Sequence, residues 1–359
     1  MAVLTDTRRH ADLREAELAQ IAGLILAQLA RRRPARRGLA GLLDRFDRKV
    51  LDLRASLSKF ERQFRSEGGE RSKDRAEIEE KRHFKRLRQR LHAAARISDA
   101  LRLVQKGAEW PLYPHLPPRH DLTGSRIAAL DGALMTLHRM VNPAPQSQVA
   151  GDLGCYPDIP FNAAGFITHA HAALRVALAL RPGRGLRFLD VGCGGGMKVL
   201  LASGLFAQAE GFDYDPAYVE AAAGAFHRMG AARCAAFHAN ALTFADYDRY
   251  DVIYFFQPMA DPDSLRALED RVIAGARPGT VIMAPYQRFH ARRADLGCAR
   301  IEDAVYVTGI VAEEAGALAQ EARRIGPDIL PPDRHILPAA PDWLRDLWRA
   351  AADNGYLPD

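Results

Sequence analysis

Cysteine is scarce in this sequence, and no two cysteines lie close together. The four among 359 residues are Cys155, Cys193, Cys234 and Cys298, and none belongs to a C-x-x-C pair. This spacing provides neither a disulfide framework nor the paired ligands of a zinc site. The sequence therefore predicts a protein of the reducing cytoplasm, and we expect no metal cofactor.

Long apolar runs are also missing. The longest, from Leu18 to Ala30, is interrupted by Gln20 and Gln28 and is too short to span a bilayer. Residues 1–17 carry acidic side chains early and lack the apolar centre of a signal peptide. We therefore expect neither a membrane span nor a secretion signal. With 48% hydrophobic residues, the chain can still bury a substantial core.

The basic residues are concentrated at one end of the chain. The whole sequence has a formal net charge of +6, but residues 1–106 contain 27 basic and 15 acidic residues, whereas the rest contains 23 basic and 29 acidic ones. A basic arm of this kind can bind an acidic partner such as nucleic acid, an anionic lipid or an acidic protein face. It can equally be a solvated, arginine-rich helical surface, and the sequence leaves both interpretations open.

Residues 1–109 have the periodicity of long helices. Apolar side chains recur at alternating steps of three and four, which indicates a heptad seam. This first stripe comprises Leu43, Phe46, Val50, Leu53, Leu57, Phe60 and Phe64. After a glycine pair, a second stripe comprises Phe84, Leu87, Leu91, Ala94 and Leu101. Both stripes would be buried by an antiparallel helical hairpin, or by a coiled coil with a second copy of the chain in a homo-oligomer.

The organisation changes after this helical arm. Residues 110–150 contain a proline-rich linker and a helix. In residues 151–310, short apolar strands alternate with helical stretches, which predicts an α/β fold with a doubly wound parallel sheet. Within it we expect one strand from Ile301, "IEDAVYVTGI", without a clear partner. Residues 311–359 form a helical and proline-rich tail.

A glycine-rich loop ends the first of these strands, in the segment "FLDVGCGGGMKVLL" that begins at Phe188. A P-loop for nucleoside triphosphates requires Gly before its Lys and Ser or Thr after it, and this chain has Met197 and Val199 there. The dinucleotide fingerprint G-x-G-x-x-G also fails, because Met197 takes the place of its third Gly when the motif starts at Gly192. The loop therefore matches neither kind of phosphate site.

The pattern that does fit is an acid followed by alternating glycines. Asp190 precedes Gly192, Gly194 and Gly196 at steps of two. Here the sequence resembles the class I S-adenosylmethionine-dependent methyltransferases. The resemblance implies a Rossmann-like domain over residues 151–310 that binds S-adenosyl-L-methionine. Glycines would leave the backbone open for the methionine and ribose portions of this cofactor.

Four further segments resemble the same family in chain order. "GFDYDP" ends the second strand with Asp213, which by resemblance binds both ribose hydroxyls, and places Tyr214 beside the adenine. "HANALTF" resembles the adenine-contact segment, with Asn240 and Ala241 as the contacting residues. "YDVIYFFQPMADP" and "ARPGTVIMAP" resemble the fourth strand with its exit loop and the fifth strand. Together these segments define the predicted cofactor site.

The residues that would face the methyl acceptor carry no specific motif. Amino-methylating enzymes of the family that act on nucleic acids have Asn or Asp followed by Pro-Pro after the fourth strand, whereas this chain has Gln257 followed by Pro258 and Met259. The upstream segment "CYPDIPFNAAGFITHAH" loosely resembles a segment of some protein-lysine methyltransferases. It offers Tyr156 and a histidine pair, His169 and His171. We predict that Gln257 and Tyr156 orient the acceptor and that positioning dominates catalysis.

The sequence thus predicts a methyltransferase that acts by in-line displacement on an unidentified acceptor, which is a protein, a sugar, a lipid or an RNA. A different interpretation is a non-catalytic scaffold, in which a methyltransferase-like fold and a coiled-coil arm organise partners. The presence of both Asp190 and Asp213 favours the enzyme, because a scaffold needs neither acid.

Overall fold

The structure, a computed structural model, describes residues 2–30, 36–66, 75–114, 117, 120–142, 145–159, 162–182, 185–330 and 340–358. The chain divides into two compact units. Met1–Ala108 and the described part of the chain from Gly326 onward form the helical unit, and Glu109–Ile325 forms the sheet unit. The predicted tail, residues 311–359, is therefore shared between the two units instead of forming a region of its own.

The helical unit has a single apolar core. Its helices are α1 (Ala2–Leu29), α2 (Arg36–Ser66), α3 (Arg75–Lys106) and α12 (Asp342–Asp353). Helix α2 contacts α1 and α3, and α12 also contacts α1 and α3. The two apolar stripes predicted from the sequence are buried in this core, together with Leu344 and Leu347 of α12. The side chain of Phe64, the last member of the first stripe, lies outside the described part of the structure.

Contacts between α2 and α3 show that these helices run antiparallel. Near the start of α2, Asp44 pairs with Arg102 near the end of α3 at 2.9 Å. Near the other end, Phe60 stacks on Phe84 with ring centroids 3.9 Å apart. The two stripes therefore bury each other within one chain, as in the hairpin interpretation. The homo-oligomer stays a prediction.

Part of the basic charge of the helical unit is paired with its own acids. Lys49 of α2 lies 2.6 Å from Glu17 of α1, and Arg8 of α1 lies 3.1 Å from Glu80 of α3. Ion pairs near the surface contribute little to stability, but they reduce the positive charge that is available to an acidic partner. Such a partner for this arm remains a prediction.

The sheet unit contains a mixed sheet of seven strands among the described residues, in the order β3-β2-β1-β4-β5-β7-β6. The strands are β1 (Arg187–Val191), β2 (Gln208–Asp213), β3 (Cys234–His238), β4 (Val252–Phe255), β5 (Val281–Met283), β6 (Cys298–Glu302) and β7 (Val305–Thr308). Strands β1 to β5 pair in parallel, and β7 pairs antiparallel with β5 and β6. The predicted α/β Rossmann-like fold with a helical N-terminal region is confirmed.

Helices precede, connect and follow the strands of the sheet unit. They are α4 (Leu122–Val141), α5 (Gln148–Asp152), α6 (Ala163–Leu180), α7 (Met197–Ala202), α8 (Pro216–Arg228), α9 (Pro262–Gly275), α10 (Gln287–Arg292) and α11 (Ala312–Arg324). Among the described residues, α6 alone is long and apolar enough to cross a membrane. Its Phe166 meets the rings of Phe188 and Tyr254 edge-on, at centroid distances of 6.1 and 5.2 Å. Packing against the sheet therefore accounts for its apolar composition.

The end of the sheet differs from the sequence prediction. The single unpartnered strand expected from Ile301 is instead a reversed hairpin formed by β6 and β7, with Cys298 opposite Thr308. The turn between the strands contains Asp303 in a left-handed conformation, with φ of 46°. Asp tolerates this region better than most residues, but an isolated Asp is a weak turn signal. The prediction was wrong because the turn has no Gly or Asn to indicate it.

A buried arginine ties both ends of the sheet unit together. Arg175 of α6 is 1% exposed. Its guanidinium donates to the backbone carbonyls of Pro111 at 2.8 Å, Trp110 at 2.9 Å and Arg323 at 3.2 Å. Charge-assisted bonds of this kind compensate the desolvation of a buried cation. They fix the linker before α4 and the end of α11 to the central helix of the unit.

A fragment of residues 109–325 is expected to fold alone, because it contains the sheet with its core and the three carbonyl partners of Arg175 described above. A chain that lacks only residues 1–106 is expected to aggregate more, because Leu344 and Leu347 of α12 lose the partners that α1 and α3 provide. Circular dichroism melting and gel filtration of both chains measure this difference. A fragment of residues 109–325 that stays unfolded would show that the unit boundary is misplaced.

Candidate functional site

A cavity of about 240 Å³ opens at the carboxyl edge of the parallel strands, beside β1, β2 and β4. The chain order reverses on either side of β1, and open α/β sheets bind ligands at such a switch point. Most of the predicted site residues line this cavity: Tyr156, Gly192, Gly194, Asp213, Tyr214, Asn240, Ala241 and Gln257. The other two, Asp190 and Gly196, are not among its lining residues.

Three of the four loop glycines adopt left-handed backbone conformations, with φ of 79° at Gly192, 53° at Gly194 and 80° at Gly196. A Cβ at Gly192 would lie 2.9 Å from the ring of Pro258, and one at Gly196 would lie 2.6 Å from Phe226. Gly192 and Gly194 leave room at the cavity wall for the side chains of Pro258 and Asp158, which a Cβ at these positions would meet. Gly196 instead allows the start of α7 to pack against α8.

Asp190 is buried at the end of β1, where it is 1% exposed. Its Oδ2 has no hydrogen-bond partner among the described atoms. The same is true of the hydroxyl of Tyr254, which pairs with Asp190 in register and lines the cavity. Burial raises the pKa of Asp190 to about 8, although the nearby Lys198 opposes the shift. Asp190 is therefore largely protonated at neutral pH.

The Asp190→Asn variant is expected to gain stability relative to the parent chain as the pH rises. The pKa of Asp190 is about 8 in the folded chain and about 3.9 in an unfolded chain. Between these values the folded chain retains a proton that the unfolded chain has lost. The free energy of unfolding therefore falls with rising pH, by at most about 1.4 kcal/mol per pH unit. An asparagine does not titrate, so the variant escapes this loss.

Thermal melting of both chains from about pH 5 to about pH 9 covers most of this window. We expect the melting temperature of the variant, relative to the parent, to rise up to about pH 8 and to level off above it. A constant difference between the two melting temperatures would contradict the raised pKa of Asp190.

Asp213, at the end of β2, is held at the cavity wall by the backbone. Its Oδ2 accepts the N–H of Gly194 at 2.8 Å, and its Oδ1 accepts the N–H of Asp215 at 2.9 Å. Burial raises the pKa of Asp213, and these two bonds oppose the shift because they favour the charged form. The bonds also fix the position of the carboxylate in the absence of a ligand.

The predicted adenine contacts follow Asp213 along the cavity. The carbonyl of Tyr214 lies 2.9 Å from Nε2 of His238. Asn240 accepts the N–H of Leu242 through Oδ1 at 2.9 Å, which holds its side chain in a turn that includes Ala241. The ends of β2 and β3 therefore bring these residues to one wall.

Gln257 and Tyr156 lie on loops that are joined by backbone hydrogen bonds. The N–H of Tyr156 donates to the carbonyl of Pro258 at 3.2 Å, and the N–H of Ala260 donates to the carbonyl of Gly154 at 2.7 Å. Gln257 has φ of 44°, which is an uncommon conformation for a residue other than glycine. Strained backbone of this kind often occurs at functional sites. The structure thus brings the predicted orienting pair to the same cavity.

The two histidines considered from the sequence lie elsewhere. His169 is on α6, where its Nδ1 lies 3.1 Å from the hydroxyl of Tyr113. Neither His169 nor His171 is among the residues that line the cavity. They are therefore poorly placed to remove a proton from an acceptor bound there.

Two charged residues that the sequence did not indicate as site residues also line the cavity. Asp158 follows Tyr156 in the upstream segment, and Lys198 follows the glycine loop. An isolated charge in a loop matches no motif, and the sequence around Lys198 bears only on the P-loop pattern, which it does not fit. Their spacing in the chain, 40 residues, gave no reason to pair them.

The sequence was compared with models of known protein families, and one of them matches the region around the cavity. Residues 189–269 match the model described as "Methyltransferase domain". This part of the chain is a methyltransferase domain. The match confirms the family predicted from the glycine loop. The matched residues include Asp190, Asp213 and Gln257, whereas Tyr156 and Asp158 precede them.

Solved methyltransferase structures resemble part of the chain at low identity. Magnesium protoporphyrin IX methyltransferase from Synechocystis, with S-adenosylmethionine bound, is 16% identical over 43% of this chain and 88% of its own, with a TM-score of 0.32. The amino pentose methyltransferase CalS10 from Micromonospora echinaspora is 21% identical over 37% of this chain and 59% of its own, with a TM-score of 0.29. This chain covers about half the length of the first similar structures, 50%, 59% and 49%. No curated protein matches the sequence.

Proposed function

We propose that the sheet unit binds S-adenosyl-L-methionine and catalyses transfer of its methyl group to an acceptor by in-line displacement. One observation carries the proposal: the fixed carboxylate of Asp213, the backbone of Gly192 and Gly194, and Asn240 border a single cavity. When bound, the cofactor supplies a methyl group that is activated by its sulfonium. The protein then has to hold donor and acceptor in line.

The residues of the cavity fit this cofactor. The carboxylate of Asp213 is acceptor-only when ionised, and it has room for further bonds beside its two backbone donors. It can therefore take the two hydroxyls of a ribose. The apolar side chains of Val191, Phe212 and Leu268 line the same cavity. They provide the apolar surface that a flat nucleobase requires.

The cavity favours positioning over proton removal. Among its described lining residues, the carboxylates are Asp158 and Asp213, and no histidine is present. Each carboxylate accepts a backbone N–H of the glycine loop. The amide of Gln257 can bind an acceptor through hydrogen bonds but cannot remove its proton. We therefore expect an acceptor whose lone pair is free at neutral pH, such as a neutral amine, a thiolate or an acidic phenol.

The rim of the cavity favours an acceptor with an apolar or aromatic body. Four apolar or aromatic lining residues are also exposed: Leu153 by 52%, Tyr156 by 44%, Ile159 by 40% and Leu242 by 38%. Exposed apolar side chains grouped at a cavity mouth are typical of a binding site. This rim suits a sugar or an RNA backbone less well than an apolar molecule or an apolar side chain.

Isothermal titration calorimetry of the full chain with S-adenosylmethionine and S-adenosylhomocysteine tests the proposal. We expect one binding site per chain. Transfer of radiolabelled methyl to a panel of small phenols, thiols and amines then tests catalysis. Absence of binding for both cofactor forms would overturn the proposal and leave the scaffold interpretation. Binding without transfer to any candidate would contradict the acceptor class.

A further inference from the structure

A second carboxylate, that of Asp158, lies against the glycine loop. Its side chain is 5% exposed. Oδ2 accepts the N–H of Gly195 at 2.9 Å and the side-chain amide of Asn142 at 2.7 Å. A Cβ at Gly194 would overlap its carboxyl group. The loop glycines therefore admit this carboxylate to the cavity wall.

Lys198 places a positive charge beside Asp158. Its Nζ lies 3.6 Å from Oδ1 of Asp158, which is longer than a hydrogen bond, and donates to the carbonyl of Ile159 at 3.1 Å. An ammonium group has three donors, so Lys198 can still bind an anion. His138 lies 3.4 Å from Oδ2 of Asp158, but burial lowers the pKa of His138, which favours its neutral form.

The amino acid end of S-adenosylmethionine carries an ammonium and a carboxylate on the same carbon. We propose that Asp158 binds this ammonium and that Lys198 binds this carboxylate. The inference rests on the proposed function. Two opposite charges that both line the cavity match the two charges of a zwitterion. The hydroxyl of Tyr254 lines the same cavity without a partner among the described atoms, and it offers a further polar contact.

This assignment gives the cavity two binding regions. Asp213 and Asn240 bind the nucleoside of the ligand, and Asp158 and Lys198 bind its amino acid. Affinity for a ligand that lacks the amino acid should therefore be independent of the charged pair. The compound 5′-methylthioadenosine has the nucleoside and the thioether but no amino acid, whereas S-adenosylhomocysteine has all three.

Calorimetry with these two ligands tests the assignment on the full chain. Asp158→Asn and Lys198→Met are each expected to weaken binding of S-adenosylhomocysteine by about tenfold or more, because each removes a charge-assisted contact. Affinity of each variant for 5′-methylthioadenosine should stay within about twofold of the parent value. This retained affinity would also show that the variant is folded. Asp248→Asn, at an exposed position outside the cavity, is the matched control and should change neither affinity.

The possible outcomes separate the inference from the proposed function. Equal losses for both ligands would show that Asp158 and Lys198 only shape the loop, and the inference would be wrong. Tighter binding of S-adenosylhomocysteine by Asp158→Asn would show that the carboxylate occupies the place of the ligand, which also overturns it. Failure of the parent chain to bind either ligand would instead contradict the proposed function.

Discussion

Asp213→Ala is expected to weaken binding of S-adenosylmethionine by about tenfold or more. The carboxylate of Asp213 is the acceptor for the ribose hydroxyls in the proposed site, and a hydrogen bond to a charged group contributes about 1.5–3 kcal/mol. Loss of even one such bond corresponds to about a tenfold change in the dissociation constant. Calorimetric titration of the variant and the parent chain measures this change.

The same substitution is also expected to lower the melting temperature. The carboxylate accepts the N–H groups of Gly194 and Asp215, and alanine leaves both donors without it. Asp213→Asn separates the two effects, because its amide oxygen can still accept one of these bonds while the charge is lost. We expect the Asn variant to melt closer to the parent than the Ala variant does. Unchanged cofactor affinity in both variants would contradict the assignment of Asp213.

The central sheet could be predicted from the sequence because each of its signals is local. A short apolar strand that ends in glycines indicates a strand and its turn, and Asp213 follows the next strand at its carboxyl end. Parallel strands bring their carboxyl ends to one edge of the sheet, so the order of these segments in the chain was enough to predict that Gly192, Asp213 and Asn240 lie together. These three residues do line one cavity.

Other features depend on contacts between residues that are far apart in the chain, and no local sequence pattern indicates such contacts. Helix α12 joins the helical unit because Leu344 and Leu347 pack on a core whose members in α1, α2 and α3 end at Leu101, far earlier in the chain. The heptad pattern predicts an apolar face but does not specify what covers it. Asp158 approaches the glycine loop through a segment that has no regular secondary structure, and the sequence gives no rule for where such a segment folds back.

The backbone conformation of Gln257 determines which substitution best removes its side chain. The sequence predicts that its amide orients the acceptor, and alanine would be the ordinary way to remove that amide. With φ of 44° at this position, alanine would also add backbone strain, because a Cβ is unfavourable there. Glycine adopts this region freely. Gln257→Gly is therefore the cleaner deletion of the side chain, and Gln257→Asn is a matched variant that keeps a shorter amide in a residue that tolerates the same backbone.

Gln257→Gly is expected to lower turnover by about tenfold or more, while affinity for S-adenosylmethionine stays within about twofold of the parent value. The reason is that Gln257 lines the cavity at the exit of β4, next to Tyr156, whereas the residues proposed to bind the cofactor lie on other loops. Turnover is measured as labelled methyl transferred to an acceptor identified in the panel. His169→Gln, outside the cavity, is the control and should retain activity. If Gln257→Gly turned over normally while His169→Gln were inactive, catalysis would depend on a histidine base, and positioning by Gln257 would be the wrong mechanism.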